Sequence, residues 1–382
     1  MERIEGNKRN KRELKRLIAL LLVAAMALSL AACGGGSGSG SASETPAVSE
    51  TEGGGAAADT AADTTAEAAD YDWSIGRPLN ISLVGDSCEL HFYAAQYLGL
   101  FEEAGYEVNW ILNGPSVDVK PLLASGKIDV TEGVLDGWLK PVEQGLDIRF
   151  SIGLEQGCMG TVVLADSPYQ SIVDLKGKKI GGLGVVGSSI FAYLYRVILK
   201  EGLDPINDYE WLGLDTAAVL QALENGEAEA VVLPDSMSFA KVKSGEYRYI
   251  TRMPDDESLR DQTCCFLMFS PQFAEEFPGA TKKLTEILYE ASVFVQDPQQ
   301  KSDVVKYGFD EGLIIMGEYE DTLELVEPFR WEPGGQIAED TFRDAFAAYQ
   351  EAGIIDEGVD VEKFLDKAFL NYEEFYETDW VD

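Results

Sequence analysis

The sequence predicts an α/β protein with two lobes, a mostly parallel sheet in each lobe, a cleft between the lobes and a helical C-terminal region. Short apolar runs that alternate like strands and longer runs with helical spacing follow one another from residue 79 to residue 131. The same alternation starts again at Lys179 and continues to residue 250. After Phe269 the apolar residues recur mostly at helical spacing, which predicts the helical region.

In the first lobe, glycine and proline mark the ends of the predicted elements. Gly105 stops the first helix, and Pro121 is tolerable only in the first turn of the second helix. Strands are predicted at 79–84, 106–112, 128–131, 148–152 and 161–165, with helices at 89–104 and 119–124. This order is typical of a parallel sheet with helices on its faces.

The second lobe repeats the order of the first. Gly202, Gly213, Gly226 and Gly245 fall where its helices or strands should end. Strands are predicted at 179–180, 210–214, 228–233 and 247–250, with helices at 188–200, 216–225 and 236–242. The chain then continues with a strand at 264–269 and helices at 273–296, 299–306, 340–352 and 361–376.

A glycine-rich segment joins the first strand of the second lobe to the helix that follows it. Ser188 or Ser189 stands where an N-cap belongs, so the first turn of the helix presents backbone N–H groups to a polar ligand group. The segment also contains a G-x-G-x-x-G motif at 182–187. A dinucleotide site needs an acidic residue about 20 positions later, but the next strand ends at Asp215, too far along. We therefore favour ligand contacts by Gly187 and the two serines, and a tight turn without a ligand is the alternative.

The N-terminus has the pattern of an export signal. A basic segment precedes an apolar run at 17–30, which is too short to span a membrane. The run ends in Leu-Ala-Ala-Cys-Gly at 30–34, which resembles the bacterial lipobox. This resemblance implies a signal peptide at 1–32 and lipidation of Cys33, and an ordinary secretory signal is the alternative. Residues 33–72 have hardly any large apolar side chain and are predicted to form a disordered tether.

Charge and cysteine content narrow the possible partners. The formal net charge is −37, so nucleic acid and anionic lipid surfaces would be repelled. Beyond Cys33 the chain has Cys88, Cys158, Cys264 and Cys265, which form no C-x-x-C pair. With one histidine in the chain, we predict no zinc site. The adjacent pair Cys264 and Cys265 is predicted to be apolar strand sequence, and the redox state of all four thiols stays open.

In sheets of this kind, ligands bind in the loops that follow the C-terminal ends of the strands. Those loops contain many carboxylates and no lysine or arginine, so we expect a neutral or cationic ligand rather than a small oxyanion. His91 is the only histidine, and Trp138 could stack on a ring; packing in the core is the alternative for both. For any single carboxylate, solvation or helix capping is the alternative. The candidate ligand-binding residues are Asp86, Ser87, Cys88, His91, Asn113, Asp136, Trp138, Gly187, Ser188, Ser189, Asp215 and Asp235.

Five segments of the chain resemble one family of substrate-binding proteins, and they occur in the order of that family's motifs. The segments are 95–108, 122–130, 174–177, 200–208 and 220–230. They are similar to motifs of the nitrate-, taurine- and sulfonate-binding proteins and of the thiamine-pyrimidine binders. Glu229 replaces the usual Asp of one motif, and Pro234 with Asp235 stands where the family has Glu-Pro.

The resemblance implies a two-lobed type II periplasmic-binding-protein fold, in which the chain crosses twice between the lobes. It implies crossover strands near 161–166 and 262–269. The implied lobe one is 73–165 with 266–382, and the implied lobe two is 166–265.

The resemblance also implies a function: an extracytoplasmic solute-binding lipoprotein that captures a small molecule and delivers it to an ABC importer. Its partners would be the permease and its ATPase, with membrane contact only through the lipid on Cys33 at the outer face of the cytoplasmic membrane. We expect a monomer without catalytic residues, cofactor or metal. A sensor for a membrane receptor is one alternative. Another is an enzyme similar to the superfamily branch that makes the thiamine pyrimidine with its own histidine, a Cys-rich segment and pyridoxal phosphate, although export separates this chain from that cofactor.

Overall fold

The computed structural model describes residues 72–375 of the chain. The predicted signal peptide 1–32, Cys33 and the tether up to residue 71 lie outside these residues. No helix within 72–375 has both the length and the apolar character needed to cross a bilayer.

The part of the chain from 72 to 375 contains ten strands in two five-stranded sheets. In chain order they are β1 Leu79–Leu83, β2 Val108–Leu112, β3 Val130–Val134, β4 Arg149–Glu155, β5 Met159–Leu164, β6 Lys179–Leu183, β7 Glu210–Leu214, β8 Ala230–Pro234, β9 Tyr247–Arg252 and β10 Cys265–Phe269. The first sheet has the order β2-β1-β3-β10-β4, and the second has the order β7-β6-β8-β5-β9. In each sheet the first three strands are parallel and the fourth is antiparallel to both of its neighbours. The two-lobed α/β fold class is therefore confirmed.

The chain passes between the two sheets twice. It leaves β4 at Glu155 and enters β5 at Met159, and it returns between Arg252 of β9 and Cys265 of β10. Strand β5 pairs only within the second sheet, whereas the predicted limits placed its residues in lobe one. The residue limits of the two lobes stay a prediction.

Helices cover the faces of both sheets. In chain order they are α1 Leu90–Leu98, α2 Leu100–Glu103, α3 Lys120–Ala124, α4 Asp136–Glu143, α5 Ser189–Lys200, α6 Thr216–Glu224, α7 Asp235–Lys243, α8 Pro271–Glu276, α9 Pro278–Phe294, α10 Pro298–Asp310, α11 Tyr319–Leu325, α12 Gly335–Glu351 and α13 Val361–Ala368. Helices α9 and α10 pack on α1 of the first lobe. Helix α12 contacts both β4 and α5, so it joins elements of the two lobes.

An aromatic cluster fixes the C-terminal region to the first sheet. The ring of Phe150 in β4 lies 6.0 Å from the ring of Phe266 in β10 and 5.3 Å from that of Phe369. Phe150 and Phe266 are fully buried, and each such side chain contributes about 1.5–3 kcal/mol to the folded state. Leu370 also donates its backbone N–H to the carbonyl of Phe150 at 2.7 Å.

Helix α4 is not among the helices predicted from the sequence. Gly137 and Pro141 lie inside the helix, and both residue types disfavour helix formation. The helix forms because Trp138, Leu139 and Val142 are buried on one face. Tertiary packing therefore outweighs local propensity here.

Some helices are shorter than predicted, α10 and α12 are longer, and α11 was not predicted. The helix expected at 89–104 is divided at Gly99, whose φ of +83° ends α1. The helix expected at 273–296 is divided at Phe277, before the proline that begins α9. Helix α13 ends at Ala368 because Phe369 takes an extended conformation and stacks on Phe150.

Candidate ligand-binding site

A cavity of about 640 Å³ lies between the two sheets. The ends of β1 and β3 line one wall, and the ends of β6, β7 and β8 line the other. The volume is within the range of small-molecule sites, and the position at the carboxyl ends of parallel strands is the usual one. Of the predicted site residues, the cavity is lined by Asp86, Cys88, Trp138, Gly187, Ser188, Ser189 and Asp215.

The glycine-rich loop between β6 and α5 forms part of the second-lobe wall. Gly184 and Gly187 have φ values of +77° and +89°, which explains the glycines of the motif without a dinucleotide. The Ser188 hydroxyl donates to the carbonyl of Leu183 at 3.0 Å and makes no capping bond to α5. The Ser188 hydroxyl therefore stabilises the turn. Because it does not cap α5, the N–H groups in the first turn of α5 receive no hydrogen bond from the N-cap side chain.

The start of α5 makes a close contact with α4 of the first lobe at a glycine. A Cβ added to Gly137 would lie 2.0 Å from the Ser189 Oγ and 2.4 Å from its Cα. Real Cβ contacts are much longer, so only glycine permits this approach. The side of the cavity is closed at this point by helix-to-helix contact.

Glu89 organises the loop after β1. Its carboxylate accepts hydrogen bonds from the backbone N–H groups of Val84, Gly85 and Asp86 at 2.7–2.9 Å, and from the Tyr93 hydroxyl at 2.8 Å. Burial, with the nearby charge of Glu132, raises the pKa of Glu89 to about 8. The loop that carries Asp86 into the cavity thus depends on a buried carboxyl group.

Hydrogen bonds connect the lobes at the cavity. The Ser236 hydroxyl of α7 donates to the Asp86 Oδ2 at 2.6 Å. At the exposed rim the Ser116 and Thr216 hydroxyls lie 2.6 Å apart. Burial raises the pKa of Asp86 although Ser236 and Ser87 donate to it. These contacts hold the two walls together.

His91 is buried in α1 and does not line the cavity. Its Nε2 lies 2.5 Å from the Glu132 Oε2, and both side chains are almost completely buried. Burial lowers the pKa of His91 to about 3 and raises the pKa of Glu132 well above its usual value. Glu132 lines the cavity, whereas His91 lies behind Glu132 and has only a structural contact with it.

Trp138 forms the apolar wall of the cavity beside Lys120. Among the described lining residues, Lys120 is the single lysine or arginine, and its Nζ lies 5.0 Å from the centre of the Trp138 ring. Lys120 also lies 3.4 Å from an oxygen of Asp118. The carboxylates that line the cavity are Asp86, Glu89, Asp118, Glu132 and Asp215. The cavity is therefore apolar with an acidic floor.

The remaining predicted residues have other partners. Asp136 accepts from Arg196 of α5 at 3.4 Å and from the Tyr349 hydroxyl of α12 at 3.2 Å, which links three helices. Asp235 pairs with Arg252 at 2.7 Å, and burial raises its pKa to about 6 although Arg252 opposes the shift.

Asn113 donates to the Ser82 hydroxyl at 2.5 Å, and the buried Ser87 donates to Asp86. Asp215 caps α6 by accepting from the Ala218 N–H at 2.9 Å. Each of these side chains has a partner within the protein. Their proposed ligand contacts stay predictions.

Several lining residues were not predicted. Glu89 and Glu132 are not among the candidate residues from the sequence, although both line the cavity. Cys158 and Cys265 also line it, and the Cys158 and Cys264 sulfur atoms are 3.3 Å apart. This contact could not be predicted from the sequence, because more than a hundred residues separate the two thiols.

A sequence model of the family described as NMT1/THI5 like matches residues 89–300. A similar curated protein is the 4-amino-5-hydroxymethyl-2-methylpyrimidine phosphate synthase of Schizosaccharomyces pombe, 25% identical over 225 residues. The match covers 55% of this chain and 63% of the synthase, so it spans less than two thirds of that relative.

Solved structures with the same fold include two solute-binding proteins. The alkanesulfonate-binding protein of Xanthomonas axonopodis pv. citri, bound to MOPS, has a TM-score of 0.62 at 18% identity, covering 75% of this chain and 97% of its own. The periplasmic nitrate-binding protein of Synechocystis has a TM-score of 0.64 at 11% identity, covering 76% and 86%. These similarities show the two-lobed periplasmic-binding fold. Because the family model matches more than half of the sequence, the chain belongs to the NMT1/THI5-like family.

Proposed function

We propose that this chain is an extracytoplasmic solute-binding lipoprotein that captures a small neutral or cationic molecule between its lobes and delivers it to an ABC importer. The observation that carries the proposal is the interlobe cavity of about 640 Å³, with walls from both lobes and hydrogen bonds across it. Such a cavity can close around a solute when the lobes move together. The fold shared with the two solute-binding proteins supports this role.

The charge of the cavity supports the proposed class of ligand. Asp86, Asp118 and Asp215 line it, and Lys120 is its only lysine or arginine within the described chain. Two like charges 4 Å apart repel by about 4 kcal/mol at an effective dielectric of 20. An anion would meet this repulsion, whereas a protonated amine could pair with the carboxylates. Trp138 offers a face for a ring in the same ligand.

Delivery and location rest on the sequence of the N-terminus. The lipobox-like sequence at 30–34 supports a lipid on Cys33, and the segment at 33–72 supports a tether that lets the folded part reach a permease. We propose a monomer at the outer face of the cytoplasmic membrane. A sensor that passes ligand occupancy to a membrane receptor would use the same cavity.

A ligand panel tests the binding proposal. The full chain would be unfolded thermally with an aminopyrimidine, small aromatic amines, nitrate and alkanesulfonates. A bound ligand at about 100 times its Kd should raise the free energy of unfolding by about 2.7 kcal/mol. Trp138→Ala should lose this rise relative to its own ligand-free stability, while the exposed-site control Glu103→Gln should keep it. Stabilisation by nitrate or sulfonates alone would refute the proposed ligand class, and no stabilisation by any compound would refute capture.

Catalysis is the second candidate, because the curated relative is a pyrimidine phosphate synthase. The position of His91 argues against it: the imidazole is completely buried, paired with Glu132, and does not line the cavity. Incubation of the full chain with pyridoxal phosphate, followed by chromatography for a pyrimidine product, would separate the two. We expect no product; a product that disappears in His91→Asn would establish the enzyme.

A further inference from the structure

Four cysteines from distant parts of the sequence meet beneath the cavity. Cys88 follows β1, Cys158 lies in the first crossover, and Cys264 and Cys265 lie where the second crossover enters β10. The sulfur atoms of Cys158, Cys264 and Cys265 and a carboxyl oxygen of Glu155 all lie within 4.8 Å of one another. Glu155, Cys158, Cys264 and Cys265 are completely or almost completely buried, and we call these four residues the crossover cluster.

The spacing of the crossover cluster suits a tetrahedral metal ion. Zn–S bonds of about 2.3 Å and Zn–O bonds of about 2.0–2.2 Å place the ligand atoms of such a site roughly 3.5–4 Å apart. The Cys158 and Cys264 sulfur atoms are already 3.3 Å apart, so small side-chain rotations are sufficient. Three thiols and one carboxylate are a donor set that favours a borderline-soft divalent ion over magnesium or calcium.

Glu155 gives an independent reason to place a cation here. Its side chain is completely buried, and no nitrogen or oxygen donor within residues 72–375 hydrogen-bonds either carboxyl oxygen. The groups beside it in the crossover cluster are the thiols of Cys158, Cys264 and Cys265. A buried carboxyl group without a partner costs several kcal/mol, and a metal ion would supply the missing partner.

A metal ion could enter the crossover cluster from the cavity. Arg252 is engaged by Asp235, with its Nε 2.7 Å from the Asp235 Oδ2. Cys158 and Cys265 line the cavity, so an ion that enters the cavity reaches two of its ligands directly. Cys88 and Glu132 form a second group of donor atoms with Cys265 on the cavity side, along the path of entry.

We propose that Glu155, Cys158, Cys264 and Cys265 bind one thiophilic divalent metal ion of the zinc type. Each metal–sulfur bond replaces an S–H bond, and each thiol proton leaves to solvent; no electron is transferred. The ion would join the end of β4, the first crossover and the start of β10, so it would fix the hinge between the lobes. The proposal does not depend on which solute the cavity takes.

The sequence did not predict this site for a physical reason. Zinc sites with closely spaced ligands are visible as short cysteine motifs, but here the ligands come from two crossovers separated by a complete lobe. Only the fold brings them together.

Cobalt spectroscopy tests the proposal. The full chain carrying Cys33→Ser, which removes the fifth thiol, would be fully reduced and titrated with Co²⁺, whose thiolate complexes absorb by charge transfer. We expect one Co²⁺ per chain with this absorption, and its complete loss when Zn²⁺ is added. Cys158→Ser and Cys265→Ser should each weaken binding by at least about 100-fold. The exposed control Glu103→Gln should change the affinity by less than about tenfold.

Glu155→Gln keeps the volume of the side chain and tests the site if a cysteine variant fails to fold. It should retain the circular dichroism spectrum of the parent and bind Co²⁺ at least about tenfold more weakly. Absence of charge-transfer absorption in the reduced parent would overturn the proposal. So would Co²⁺ binding that survives Cys158→Ser and Cys265→Ser, or a reduced parent that binds no Zn²⁺ while its oxidised form carries a Cys158–Cys264 disulfide.

Discussion

Gly137→Ala tests the contact that closes one side of the cavity. The added Cβ would lie 2.0 Å from the Ser189 Oγ, 2.4 Å from its Cα and 2.5 Å from its backbone nitrogen. Ordinary contacts begin near 3.4 Å, so α4 and α5 would have to separate by roughly 1 Å. Overpacking of this kind costs about 1–3 kcal/mol, while alanine in place of glycine in a helix contributes up to about 1 kcal/mol in the opposite direction.

We therefore expect Gly137→Ala to lower the free energy of unfolding by about 1–2 kcal/mol in urea titrations of the ligand-free chain. The double variant Gly137→Ala with Ser189→Gly distinguishes a side-chain clash from a backbone clash. Because the Ser189 Cα and nitrogen both lie too close to the added Cβ, removing the hydroxyl should restore little stability. A Gly137→Ala protein as stable as the parent, or more stable, would show that the two helices are not in contact in the ligand-free protein.

Three further predictions concern stability. Burial raises the pKa of Glu89 to about 8, so between pH 6 and pH 8 the native state binds a proton that the unfolded chain does not. The free energy of unfolding should therefore fall by about 2–3 kcal/mol as the pH rises through this interval in urea titrations. Glu89→Gln should flatten this fall, whereas the exposed control Glu103→Gln should leave it unchanged. A parent protein whose stability does not change between pH 6 and pH 8 would contradict the raised pKa of Glu89. Arg196→Met should cost about 3–5 kcal/mol by leaving the buried Asp136 without its cation, and Asp136→Asn in the same chain should recover part of the loss; additive single-variant costs would contradict the pairing. Ser188→Ala should cost about 1 kcal/mol through the lost bond to Leu183, and an unchanged stability would contradict that bond. A fall in ligand affinity in the same variant would support the predicted ligand contact of Ser188, which lines the cavity.

The order of strands and helices was largely predictable from the sequence. Strand β7 matches the prediction at both ends because alternating apolar residues between clear breakers specify a strand locally. Helix α4 was not predictable in this way. Gly137 is needed because Ser189 of the other lobe approaches it closely. The helix forms despite Pro141 because Trp138 is buried against neighbouring elements, and neither contact can be predicted from local sequence.

The candidate site was predictable in position but not in its internal bonding. Strand ends correctly indicated where the cavity lies, since carboxyl ends of parallel strands share one edge of a sheet. The partners of the carboxylates could not be read from the sequence. Asp136 meets Arg196, and Asp86 meets Ser236, across 60 and 150 residues respectively. Pairing over such separations depends on how the two lobes meet.

One measurement tests the central claim that the cavity takes a neutral or cationic solute. The full chain would be titrated calorimetrically with benzylamine and with phenylmethanesulfonate, which carry similar rings and opposite charges. Asp86, Asp118 and Asp215 at the cavity predict that the amine binds at least about tenfold more tightly than the sulfonate. Trp138→Ala should weaken binding of the amine. Equal binding, or tighter binding of the sulfonate, would contradict the claim.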